Sequence, residues 1–159
     1  RTSWVYSAVG RNFLLTLLNA ARKSDHLRVV ADQIGCPTAT ADLAAAILAI
    51  ADRLATDGWR PEFAGVFHAA GTGATSWHGL AQAVFAASAR YGGPQPTVAA
   101  ITTGDWPTPV RRPPDSRLDC TRLHRVFGLR LPAWQDSVVA TVATIFDDVS
   151  IPARSVSAL

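Results

Sequence analysis

The sequence predicts an α/β fold with a largely parallel sheet, and three observations carry that prediction. Short β-branched and aromatic runs alternate with stretches of helical apolar spacing through residues 1–89, and parallel neighbours need such crossover helices. Turn-forming residues fall between the runs, at Gly10, Ser24-Asp25, Gly35-Cys36-Pro37 and Gly71. Hydrophobic residues make up 48% of the 159 and charged residues 17%, enough apolar material for one core and far from the composition of a disordered chain.

Taken in order, residues 1–6 read as a strand from their Trp, Val and Tyr content. Phe13, Leu14, Leu17, Leu18 and Ala21 share one face of a helix over about residues 11–23, and residues 27–31 form a short buried strand. Residues 32–38 are a loop with Gly and Pro punctuation, after which Thr38 or Thr40 is placed to cap a helix whose face is Leu43, Ile47, Ile50 and Leu54. A polar connection over residues 56–65 leads to a strand at 65–70. The turn Gly71-Thr72-Gly73-Ala74-Thr75-Ser76 then opens a helix with Trp77, Leu80, Ala81, Val84 and Phe85 on one face. After a Gly/Pro turn at 91–96, residues 98–102 are a candidate last strand. The segment 103–117 holds four of the ten prolines, and a loop of that length in a compact domain is usually functional or disordered. A short helix runs from Asp119 to about Phe127 and stops at Gly128. Pro132 starts a last helix with Trp134, Val138, Val142, Ile145 and Phe146 facing inward, and residues 150–159 read as a frayed tail.

Composition also excludes several function classes. No run approaches 18 apolar residues, so the sequence has no membrane-spanning helix, and Arg1-Thr2-Ser3-Trp4 is not a secretory signal. Net charge is +3, carried by fourteen arginines and one lysine, Lys23, without a basic tract of the kind that binds nucleic acid. The planar guanidinium fork suits phosphate and carboxylate, which favours a small anionic ligand over a polyanion. Cys36 and Cys120 are expected to be reduced, structural thiols of a cytoplasmic protein. Four histidines, His26, His68, His78 and His124, fall in four different elements, so neither a metal site nor a Ser-His-Asp triad is supported. A single glutamate, Glu62, stands against eleven aspartates.

Two segments could carry phosphate chemistry. A glycine-rich turn such as residues 71–76 can aim backbone N–H groups at an anion, but Ser76 replaces the third glycine and no acidic residue lies about 20 positions on, where Arg90, Tyr91 and Gly92 stand. A plain strand-to-helix turn with Ser76 as N-cap is the favoured reading. Arg111-Arg112-Pro113-Pro114-Asp115-Ser116-Arg117-Leu118-Asp119 puts adjacent guanidinium groups in a proline-stiffened loop, which reads equally as a diphosphate clamp and as a solvated loop with Ser116 or Asp119 capping the next helix. Short-chain reductases use a tyrosine four residues before a lysine, whose charge lowers the phenol pKa. Here Tyr6 is followed at that offset by Gly10 and Tyr91 by Gln95, while Lys23 is preceded by Asn19. The catalytic dyad is therefore not in these residues.

Four motifs in order, Arg1-Thr2-Ser3-Trp4-Val5-Tyr6, Gly10-Arg11-Asn12-Phe13, Asp32-Gln33-Ile34-Gly35-Cys36-Pro37-Thr38 and Arg112-Pro113-Pro114-Asp115-Ser116-Arg117-Leu118-Asp119, resemble the C-terminal half of the dTDP-4-dehydrorhamnose reductase family within the extended short-chain dehydrogenase/reductases. The resemblance implies the C-terminal part of an NAD(P)-binding Rossmann-like fold with a small substrate-binding subdomain, over residues 1–148, with 149–159 as a flexible tail. It further implies NADPH-dependent reduction of the 4-keto group of dTDP-4-dehydro-L-rhamnose, with the dinucleotide-binding half supplied in cis or in trans.

Carried over onto this sequence, Ser3, Trp4 and Val5 would lie beside the nicotinamide, with Trp4 also packing on the hexose. Arg11, Asn12 and Phe13 would approach the nucleotide-sugar from a helix N-terminus. Gln33, Gly35, Pro37 and Thr38 would shape the thymidine end, and Arg112 and Ser116 would bind diphosphate or ribose, which strengthens the clamp reading. A homodimer is a further implied partner. Some members dimerise through magnesium and glutamates, which Glu62 alone does not carry over. The alternative is a non-catalytic sugar-nucleotide-binding or protein-interaction subunit of the same fold.

Overall fold

Strand pairing in this chain is set by three short crossings rather than by one continuous sheet. The computed structural model describes residues 1–110 and 112–149, so the tail at 150–159 and the side chain of Arg111 lie outside the described residues. β1 (Val5–Tyr6) pairs parallel with β4 (Thr38–Ala39), and β2 (His26–Val30) pairs parallel with β6 (Thr97–Ile101) in the register His26↔Thr97 to Val30↔Ile101. β3 (Ile34–Gly35) pairs antiparallel with β5 (Thr75–Ser76). The fold is mixed α/β, and two of its three pairings are parallel, as the alternating pattern requires.

Two strands are shorter than expected. β1 keeps only the last two residues of 1–6, because Trp4 sits at φ +48°, a left-handed conformation that breaks the extended run. Residues 65–70 form no strand. The Arg1 amine donates to Phe67 O at 2.5 Å and the Ala69 amide to Arg1 O at 2.8 Å, but the next amide, Gly71, donates to the Thr38 hydroxyl at 3.2 Å instead of a backbone carbonyl, so no ladder continues.

α1 (Phe13–Ala21) follows the expected spacing and buries Leu14, Leu17, Leu18 and Ala21. Asn12 is its N-cap: its Oδ1 accepts from the Leu15 amide at 3.1 Å, while its Nδ2 donates to Ser7 O at 3.0 Å and Val9 O at 3.3 Å. Asn12→Ala removes all three bonds. It should lower stability by about 1–2 kcal/mol, a drop of roughly 3–6 °C by thermal circular dichroism, whatever ligand the neighbourhood binds.

α2 (Thr40–Asp57) departs most from its expected packing. Neither threonine caps it: Ala39 is the N-cap, and the buried Thr38 hydroxyl is used instead between Cys36 O and the Gly71 amide. Of the expected face only Leu43, Ile50 and Leu54 are half-buried, Ile47 is 57% exposed, and Ala46 is the one fully buried residue. Ala46 and Ile50 pack on Leu123, Leu131, Phe67 and Phe127 in a small second core.

The main core lies between α1, α3 (Trp77–Ala89) and α5 (Trp134–Val149), where Leu80, Ala81, Val84 and Phe85 meet Leu14, Trp134, Val138 and Val142. Ser76 caps α3 as expected, accepting from the Gly79 amide at 3.0 Å. α4 (Thr121–Phe127) ends at left-handed Gly128, and Asp119 accepts from the Thr121 amide at 2.8 Å at its start. A 16-residue α5 and a 13-residue α3 packed along each other hold the N-terminus of α3, and with it Trp77, in a fixed place.

Candidate functional site

A cavity of about 780 Å³ opens where the N-terminus of α1, one face of β2 and the segment 106–112 converge. β2 contributes His26, Leu27, Arg28, Val29 and Val30 to its lining, of which Leu27 and Val29 also pack in the main core. Arg11, Asn12 and Phe13 come from α1 and its cap, and Trp106, Thr108 and Arg112 from the proline-rich segment. Among the described residues no carboxylate lines the cavity. Arg11, Arg28 and Arg112 make no ion pair among the described residues, so the walls are positively charged.

The floor is aromatic and tied down by side-chain hydrogen bonds. Trp77 stacks on Trp4 with ring centroids 3.5 Å apart and planes 7° from parallel, and Phe13 meets Trp77 edge-on at 4.7 Å. The Trp4 indole N–H donates to the Ser116 hydroxyl at 2.9 Å, and that hydroxyl donates to Ile34 O at 3.1 Å. The Trp77 indole N–H donates to Gln33 Oε1 at 3.2 Å, and Gln33 Nε2 donates to the Thr103 hydroxyl at 3.0 Å. Thr103 in turn donates to Asp32 from its hydroxyl at 2.7 Å and from its amide at 2.9 Å. The Thr103 amide, with the hydroxyl second, holds the Asp32 carboxyl below its usual range. The chain Trp77–Gln33–Thr103–Asp32 thus couples the floor to the start of the segment that carries Trp106 and Arg112.

The structure brings Arg11, Asn12, Phe13, Gln33 and Arg112 together in the cavity wall. Trp4 and Ser116 lie beneath, supporting Trp77. Gly35 allows that support: a Cβ there would stand 2.3 Å from Trp4 Cε2. Pro37 and Thr38 are fully buried and join β4 to Gly71 instead of facing the cavity. Ser3 donates to Cys36 O at 3.2 Å, and Val5 is 42% exposed on β1, outside the cavity. Arg28, Trp77 and Trp106 were not singled out from the sequence as site residues. Arg28 had a usable signal, since a charge between Leu27 and Val29 of an apolar strand must face away from the core.

A second hollow of about 350 Å³ lies against Cys36, Gly71, Gly73, Arg117, Cys120 and His124. Gly71 serves packing. A Cβ on Gly71 would meet Pro37 O at 2.1 Å, and Gly73, at φ +94°, lies against the Trp134 ring. Arg117 is spent on Asp115, which its side-chain and backbone bonds hold at a pKa of about 2. Both cysteines are free thiols, and burial pushes the Cys120 thiol up. No helix among the described residues is long and apolar enough to cross a membrane.

The family model described as the RmlD substrate binding domain matches residues 1–146. The chain belongs to that family. Its relatives include the dTDP-4-dehydrorhamnose reductases of Sinorhizobium fredii, 44% identical over 137 residues, and of Escherichia coli K12, 38% identical over 153. Those matches cover 86% and 95% of this chain but 46% and 50% of the relatives, so this RmlD domain spans about half the length of the curated relatives it matches. Among solved structures, the dTDP-4-dehydrorhamnose reductase of Clostridium acetobutylicum superposes with a TM-score of 0.79 at 32% identity, over 91% of this chain and 47% of that one. The enzyme of Bacillus anthracis, solved in complex with NADP, gives a TM-score of 0.75 at 28% identity over the same shares. The fold is therefore part of the extended short-chain reductase architecture. Of the three residues expected beside the nicotinamide, Ser3 and Trp4 are half-buried and Val5 is exposed. The Ser3 hydroxyl is engaged by Cys36 O and the Trp4 ring by Trp77 and Ser116, and Gly71, packed against Pro37 O, offers no cradle for a dinucleotide diphosphate.

Proposed function

We propose that this chain supplies the sugar-nucleotide pocket of a cytoplasmic dTDP-4-dehydrorhamnose reductase, which reduces the 4-keto group of dTDP-4-dehydro-L-rhamnose with NADPH to give dTDP-L-rhamnose. The observation that carries the reading is the cavity, whose lining holds three arginines and, among the described residues, no carboxylate, above an aromatic floor. A dTDP-sugar has the matching parts: a flat base, a diphosphate and a deoxyhexose with an apolar face. Arg11 and Arg112 would grip the diphosphate through their planar forks. The Trp4–Trp77 stack would present a rigid apolar surface to the rings.

Reduction also needs a hydride donor and a proton donor. The complementary half of the relatives' length would provide the NADPH site and the Tyr-x-x-x-Lys pair, in cis or in trans.

Isothermal titration of the chain with dTDP-rhamnose, and separately with NADPH, tests this. Saturable binding of dTDP-rhamnose without NADPH, lost by at least about tenfold in Arg112→Ala, is expected. Absence of dTDP-rhamnose binding to a chain shown folded by circular dichroism would overturn it, as would an Arg112→Ala variant that binds unchanged.

A further inference from the structure

The cavity holds more positive charge than a sugar nucleotide uses. The diphosphate of a dTDP-sugar is esterified at both ends and carries two negative charges, which Arg11 and Arg112 can meet. Arg28 is left over. It lines the cavity on β2 together with its neighbours Leu27 and Val29, which also pack in the main core. The Arg28 charge helps to lower the Asp105 carboxyl, whose oxygens accept from the Thr102 hydroxyl at 2.7 Å and the Thr102 amide at 2.9 Å. Arg28 lines the cavity beside His26 and makes no ion pair among the described residues.

We propose that this cavity binds the free nucleoside diphosphate, dTDP, more tightly than the sugar nucleotide, with Arg28 meeting the extra charge of the terminal phosphate, so that dTDP competes for the substrate site. This rests on the function proposed above. A terminal phosphate monoester titrates near pH 6, so free dTDP carries about three charges at neutral pH against two for the diester. Three guanidinium groups in a lining with no carboxylate among the described residues favour the trianion over the dianion, and salt weakens that preference more than it weakens stacking on the floor. The chemistry gives the competition a source, because any glycosyl transfer that consumes a dTDP-hexose releases dTDP.

The test is titration of the chain with dTDP and with dTDP-rhamnose at low and at raised ionic strength, for the parent and for Arg28→Met and Arg28→Lys. In the parent at low salt dTDP should bind about tenfold more tightly than dTDP-rhamnose, a preference of about 1.4 kcal/mol. The ratio should fall to about twofold in Arg28→Met, survive in Arg28→Lys, and shrink with salt in the parent. Equal affinities in the parent would overturn the proposal while leaving the sugar-nucleotide pocket standing. Equal losses for both ligands in Arg28→Met would overturn it too, by making Arg28 a contact to the part they share. Failure of dTDP-rhamnose to bind a folded chain would overturn the function reading instead.

Discussion

Gly71→Ala should destabilise this protein by about 3 kcal/mol or more, lowering the melting temperature by roughly 6–12 °C. The added Cβ would stand 2.1 Å from the carbonyl oxygen of Pro37, a backbone atom of a fully buried residue that cannot rotate aside. Relief requires the 71–74 segment to back away from β4, which breaks the 3.2 Å bond from the Gly71 amide to the Thr38 hydroxyl. Thr38 has 0% exposure, so no water replaces the lost donor, and an unsatisfied buried group adds about 1–3 kcal/mol. Gly73→Ala is a graded control. Its Cβ would meet Trp134 Cδ1 at 3.1 Å from a backbone at φ +94°, and the Trp134 ring can shift, so the loss should be smaller. Thermal circular dichroism of both variants decides the matter. A Gly71→Ala protein melting within about 1 °C of the parent would mean that this glycine is not a packing requirement, and the anion-loop reading of residues 71–76 would return.

The helices were legible because their evidence is local. The spacing of Leu14, Leu17 and Leu18, of Leu80 and Val84, and of Val138 and Val142 marks faces that the structure buries against one another. The same logic misplaced Ile47, since a 3.6-residue period identifies an apolar face without saying what covers it. Strand extents failed for a different reason. Nothing in the composition of residues 1–6 shows that Trp4 takes φ +48° to lay its ring on Trp77, a conformation that only long-range contacts can hold. Thr38 or Thr40 is the cap that local sequence suggests, because Ser and Thr usually serve the nearest helix, whereas neither caps α2 and the Thr38 hydroxyl is drawn to an amide at position 71.

The site was legible where a motif concentrates it. Arg11, Asn12, Phe13, Gln33 and Arg112 do gather around one cavity. Trp77 escaped notice because it occupies the first position of a helix whose later turns, Leu80 and Val84, are core. Its membership in the site depends on Trp4 and Gln33, which lie far from it in sequence and adjacent in space.

Trp77→Ala should therefore weaken dTDP-rhamnose binding by roughly thirtyfold while lowering stability by about 2–3 kcal/mol, less than a fully buried tryptophan would lose, since this ring is half-buried. Three supports fail together: the stack on Trp4, the edge contact with Phe13 and the indole N–H bond to Gln33. The third failure releases Gln33 from one of its two side-chain partners and loosens its hold on Thr103, so the effect should reach the segment carrying Trp106 and Arg112. Trp77→Phe separates the parts. It keeps an aromatic face against Trp4 but supplies no donor to Gln33, so it should retain most of the stability and still bind several-fold more weakly. Titration calorimetry on both variants, with melting curves alongside, distinguishes a floor from a core residue. If Trp77→Ala loses stability but binds dTDP-rhamnose as the parent does, the indole pair belongs to the core alone, and the ligand rests on Trp106 and the β2 face instead.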